Sequence, residues 1–145
     1  MTIHHIDHST VADNVRRAFE TKDLEALVSA LSPDVIIHSP VAHRPFNGSA
    51  AGRVLFTAVL DTYEDFRYVD TLQGKSSLAL VFDARIGDRD IQGFQHVHLD
   101  PEGLVDQVVL MVRPLSGGQA FADVIGPKVV AGFARLAGDA DSQTT

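Results

Sequence analysis

The sequence predicts an α+β domain in which N-terminal helices pack on one face of a curved antiparallel sheet. Three observations carry this. Apolar residues recur at helical spacing through the first sixty positions, they alternate with period two through most of 66–113, and the helical part precedes the strands as a block.

In the first helix, 9–21, Val11, Val15, Ala18 and Phe19 fall at i, i+4, i+7 and i+8, with Asp7 or Ser9 as its cap. Asp23 stands at the N-cap of a second helix of about two turns, marked by Leu24, Leu27, Val28 and Leu31. Ser32-Pro33-Asp34 breaks it, and the β-prone residues 35–38 form a short strand that stops at Ser39-Pro40. Residues 41–48 hold Pro45 and Gly48 and read as a loop anchored by Phe46. Ser49 is the expected cap of a third helix whose Ala51, Leu55, Ala58 and Val59 share a face, with Phe56 and Leu60 beside it.

A strand through Phe66, Tyr68, Asp70 and Leu72 leads to the turn Gly74-Lys75-Ser76 and then into three consecutive strands over 78–114. Leu78, Leu80, Phe82, Ala84 and Ile86 share one face with Ile91, Gly93, Gln95, Val97 and Leu99 across the Gly87-Asp88-Arg89-Asp90 turn, and with Val108, Leu110 and Val112 beyond Asp100-Pro101-Glu102-Gly103. Phe94, His96, His98, Val109 and Met111 take the opposite face, where Asp83 and Arg85 form an expected ion pair. After Pro114, Gly126-Pro127 separates one helix with Phe121, Val124 and Ile125 from another with Val129, Val130, Phe133 and Leu136. The chain reads as a single domain, 1–145, with 1–8 and 138–145 as disordered tails.

A net charge of −7 excludes the basic face that a phosphate backbone demands, so nucleic acid is not an expected partner. No run approaches the ~20 apolar residues of a membrane span, and no Cys is present for thiolate or disulfide chemistry. The expectation is a soluble, cytoplasmic protein without membrane contact. His96-Val97-His98 has a spacing that metal sites use but lacks a third ligand, so neither a metal nor a cofactor is called for.

Helices cannot cover a long curved sheet completely, and the gap is where a cavity forms. On the inward sheet face Gln95 is the single amide, which suits either a ligand contact or a satisfied core residue. His38, at a strand end, has the chemistry of a base near neutrality if it points inward. Ser39 either binds a ligand or caps the chain before Pro40, and Tyr63 and Tyr68 each present a phenol or simply pack. The sheet face of Phe82, Gln95, Val97, Val108 and Leu110 and the helical residues Val15, Leu55 and Phe56 are expected to enclose the cavity. The opposite face, around Phe94, His96, Val109 and Met111, is the expected surface of a homodimer.

Four stretches taken together resemble the nuclear transport factor 2-like superfamily, which includes SnoaL-like cyclases, ketosteroid isomerases and limonene-type epoxide hydrolases. They are Phe19-Glu20-Thr21-Lys22-Asp23-Leu24, Asp34-Val35-Ile36-Ile37-His38-Ser39-Pro40-Val41, Gly48-Ser49-Ala50-Ala51 with Arg53, and the closing hairpin 100–114. The resemblance spans 11–114 and implies a cone-shaped fold. It also implies where catalytic groups belong. The isomerases' base Asp falls on Ser39, and their oxyanion pair, a Tyr and a protonated Asp, falls on Val15 and Gln95. The Asp of the epoxide hydrolases falls near Leu110. The family's carboxylates are therefore missing, although Gln95 still donates to an oxygen.

The resulting expectation is a pocket for a small hydrophobic molecule, used either for binding or for cofactor-free proton transfer on a small carbonyl compound. In the enzymatic version His38 and Gln95 are catalytic; Val15, Ser39, Phe56, Tyr63, Phe82, Val97, Val108 and Leu110 bind the ligand. The alternatives are an epoxide hydrolase-like enzyme, or a homodimeric interaction protein whose pocket is incidental.

Overall fold

The computed structural model describes residues 8–142, in the order α1 (His8–Glu20), α2 (Leu24–Ser29), β1 (Leu31–His38), β2 (Phe46–Asn47), α3 (Ser49–Thr62), β3 (Glu64–Gln73), β4 (Ser77–Ile86), β5 (Arg89–Leu99), β6 (Val105–Arg113) and α4 (Leu115–Ser142). The six strands form one sheet, ordered β2-β1-β6-β5-β4-β3. Every neighbouring pair is antiparallel except β1 and β6, which run parallel, so the expected antiparallel sheet is mixed. No hairpin joins β1 to β6, and nothing local forces them to oppose each other.

The expected register of the central hairpins is present. Leu80 faces Gln95, which faces Leu110, and Phe82 faces Gly93, which faces Val112. Leu78, Leu80 and Phe82 are fully buried. Gly93 has a packing reason: a Cβ there would lie 2.0 Å from Cζ of Phe82, so the ring fills the space a side chain would take. Around Phe82 the rings of Phe66, Tyr63 and Tyr68 follow at 4.8, 5.5 and 6.3 Å between centroids, and Phe19 extends the cluster to Phe56.

Asp23 caps α2 as expected, accepting from the Ala26 N–H at 3.1 Å. Three local expectations are corrected. Leu31 begins β1 rather than ending α2, because the Val105 N–H donates to the Ala30 carbonyl and Leu31 pairs with Val105; Pro33 falls at the register shift that follows, where no ladder donor is needed. The N-cap of α3 is Gly48, with φ 95°, not Ser49; its N–H is held by the Val35 carbonyl at 2.7 Å. Asp83 and Arg85 do not pair with each other. Arg67 meets Asp83 at 3.4 Å and Arg85 meets Asp90 at 3.3 Å, since cross-strand neighbours stand closer than i, i+2 residues on one strand.

The largest correction is α4. Gly126-Pro127 does not divide two helices: one helix runs through Pro127. Proline forfeits one backbone bond, but Phe121, Ile125, Val129 and Phe133 recur every fourth residue and pack a continuous stripe against the domain, which outweighs that loss. The helix continues over 138–142, which were expected to be a tail, and α1 begins at His8. The remaining tail positions, 1–7 with the candidate cap Asp7 and 143–145, lie outside the described residues.

Candidate functional site

Between the sheet, α3 and α4 lies a cavity of about 280 Å³. Gln95, Val108 and Leu110 form its base, Leu55, Phe56, Val59 and Tyr63 one wall, and the α4 stripe from Phe121 to Phe133 its roof. The end of β1, the loop 39–42 and Phe46 complete the rim. Val41 and Val130 are the most open of these residues, 47% and 71% exposed, and mark the way in. None of the residues lining the cavity is Asp, Glu, Lys or Arg.

Two polar side chains stand in the wall of this apolar space. Gln95 is 6% exposed, and its Oε1 accepts from the Tyr68 hydroxyl at 2.9 Å. Its Nε2 has no protein partner among the described residues, and Gln95 lines both the cavity and a small void beside it, so the amide keeps a donor to spare at this site. Tyr63 is 3% exposed and its hydroxyl has no hydrogen-bond partner. Burial raises the pKa of Tyr63, and burial also raises that of Tyr68 well above the ordinary phenol value, so both stay neutral.

Of the residues named from the sequence as ligand contacts or catalytic groups, Ser39, Phe56, Tyr63, Gln95, Val108 and Leu110 line this one cavity. Ser39 also makes the rim turn, its Oγ accepting from the Val41 N–H at 3.2 Å. Three expected lining residues do not reach this space. Val15 and Val97 border a separate void of about 30 Å³, divided from the cavity by Phe56, Gln95 and Val108. Phe82 is fully buried under Tyr63 and Phe66, because it occupies the space above Gly93.

His38 borders the rim, but its imidazole does not converge with Gln95. The alternation that turns Val35 and Ile37 inward sends His38 to the other face, beside Val109 in the β6 register. There His38 Nε2 lies 3.4 Å from the Gln107 amide nitrogen. On that same face His98 Nδ1 meets Asp106 at 2.6 Å, and His96 is exposed. Among the described residues no three His, Cys, Asp or Glu gather into a group that could hold a metal ion.

Sequence reasoning missed Phe19, Val59 and the α4 residues as lining. The four-residue spacing of Phe121, Ile125, Val129 and Phe133 was the available signal, obscured by Gly126-Pro127.

No family model and no curated protein matches the sequence. Solved structures do. A steroid delta-isomerase from Pseudomonas aeruginosa is 30% identical, with a TM-score of 0.81, over 92% of this chain and 99% of that one. A protein with a cystatin-like fold from Silicibacter pomeroyi superposes with a TM-score of 0.83 at 21% identity, over 90% of this chain and 92% of its own. An epoxide hydrolase/cyclase-like enzyme of pyran ring formation in the polyether salinomycin matches 75% of this chain and 95% of its own, at 19% identity and a TM-score of 0.62. The chain belongs to the nuclear transport factor 2-like (SnoaL-like) superfamily. Among the described residues, no helix is long and apolar enough to cross a membrane.

Proposed function

We propose that this protein binds a small, neutral, largely apolar molecule in the cavity under α4, with Gln95 as its main polar contact. The observation that carries this reading is an apolar cavity whose base presents one amide with a donor to spare. A volume of about 280 Å³ stands near the lower end of ligand pockets, ~300–1,000 Å³, and suits a compact molecule. An ionised ligand would lose its hydration without meeting a counter-charge on the lining.

Binding is favoured over catalysis because, among the described residues, no carboxylate lines the cavity and the imidazole at its rim, His38, lies beside Gln107. The epoxide hydrolase-like alternative is weaker still, since Leu110 occupies the position where a catalytic Asp is expected. The second reading, proton transfer on a small carbonyl compound, draws its support from the 30% identity to a steroid delta-isomerase. In either reading a second copy is the proposed partner on the outer sheet face, where Ile36 and Met111 are 39% and 56% exposed.

The test is titration with indene, an apolar bicycle without a polar atom, followed by tyrosine fluorescence. The chain has two Tyr and no Trp, so the signal arises beside the cavity. Leu110→Phe, which fills part of the space and keeps the chain free of Trp, should weaken binding by about tenfold or more while the far-ultraviolet circular dichroism stays that of the parent. Saturable binding left unweakened by this substitution places the ligand elsewhere.

A further inference from the structure

We infer that the Tyr68 hydroxyl fixes which end of the Gln95 amide faces the cavity, and that the site thereby selects ligands whose polar atom accepts a hydrogen bond over ligands whose polar atom donates one. The inference rests on the cavity being a binding site for a small apolar molecule, and it assigns the polarity of that molecule. Tyr68 does not itself line the cavity, so its role is one of positioning.

The two ends of a side-chain amide have nearly the same shape, so their orientation is decided by neighbours. Tyr68 stands edge-on to the rings of Phe19, Phe66 and Phe82, at 6.1, 4.8 and 6.3 Å between centroids, and these offer its hydroxyl no oxygen. Among the described residues, the one acceptor within reach of that hydroxyl is Gln95 Oε1 at 2.9 Å. If the amide turned over, Nε2 would donate to the phenol oxygen and the phenol hydrogen would be left without an acceptor. The amide N–H left over in the observed orientation belongs to a residue that lines the cavity, whereas Tyr68 does not line it, so stranding the phenol hydrogen disfavours the flipped state by roughly tenfold. Oε1 is therefore committed to Tyr68, and what remains for a ligand is an N–H.

Tyr63, the other polar group within the cavity wall, does not set this sign. Its hydroxyl is buried without a partner, so it is the ring of Tyr63, not its oxygen, that a ligand meets. The preference is thus written by Gln95 and held by a residue one step further back.

Three bicyclic probes of similar size separate the possibilities: indene, with no polar atom; indole, whose ring N–H donates; and 1-indanone, whose oxygen accepts. In the parent, 1-indanone should bind about tenfold tighter than indole, with indene no weaker than indole. Tyr68→Phe keeps the ring and frees the amide, so this ratio should fall toward one while indene affinity holds. Gln95→Leu should bind all three alike. If indene binds but 1-indanone has no advantage over indole in the parent, the inference is overturned and the pocket stands; this comparison needs no variant to fold. A full ratio in Tyr68→Phe overturns the role of Tyr68. If none of the three binds, the reading of the cavity as a site for small apolar molecules fails, and this inference fails with it.

Discussion

The rings of Phe46 and Phe133 stack 5.7 Å apart and 9° from parallel, tying β2 to the far half of α4 at the side of the cavity. Both line it, so the contact joins the rim loop to the roof. Phe133→Ala should lower stability by about 1–2 kcal/mol, a stacked pair plus part of a half-buried ring. It should also speed release of indene, because the roof loses its tie to the rim. Urea unfolding and stopped-flow dissociation measure the two; an unchanged release rate would show that the stack has no part in closure.

Gly93→Ala tests the packing beneath the site. Its new Cβ meets the Phe82 ring at 2.0 Å, a distance no rotamer of the alanine relieves, and Phe82 is locked among Tyr63, Phe66 and Tyr68. A loss of about 2–3 kcal/mol in chemical denaturation is expected, at the upper end of overpacking costs. A loss under about 0.5 kcal/mol would mean that the ring moves freely, contrary to this packing.

Proton-transfer chemistry is checked by deuterium incorporation at the α-carbon of cyclic ketones, followed by NMR. With no base turned toward Gln95 among the described residues, the parent should give no exchange above buffer, and His38→Ala should match it. Exchange in the parent that vanishes in His38→Ala would reinstate the catalytic reading and require the imidazole to leave Gln107.

Alkaline pH should destabilise the fold through two residues. Tyr63 and Tyr68 ionise above their ordinary range when folded, whereas both titrate near pH 10 in the unfolded chain. The unfolded state therefore binds fewer protons once the pH passes about 10, and stability falls from there by up to about 1.4 kcal/mol per pH unit for each tyrosine. Below pH 10 the effect is absent. Because these are the only tyrosines in the chain, tyrosinate absorbance should appear together with loss of circular dichroism, not before it. Early, independent ionisation of either phenol would contradict their burial.

Light scattering tests the outer face. Met111→Lys introduces a charge at its most exposed apolar residue and should convert a homodimer to a monomer without loss of fold. A monomeric parent at micromolar concentration ends the homodimer proposal.

Much of the sheet was legible because side-chain parity is a local property: the alternation around Gln95 and two polar turns fix which residues face inward. His38 shows where that stops. Its strand is short, its direction comes from parallel pairing with β6, and a residue sixty-nine positions away receives its ring. The single helix α4 was hidden for the opposite reason. Gly126-Pro127 is a strong local break signal, and only the packing of Phe121 through Phe133 overrides it. The cavity was thus half readable, its base from strand alternation and its roof not at all.

That roof is also the last part of the fold to be made. During synthesis the strands bearing Gln95, Val108 and Leu110 leave the ribosome before the α4 residues that cover them, and chains emerge at ~5–20 residues per second. For the seconds before Phe121 to Phe133 arrive, the apolar base is an uncovered surface. The order of translation thus leaves the apolar base uncovered until α4 is made, and it is the packing of α4 that turns an open sheet face into a cavity.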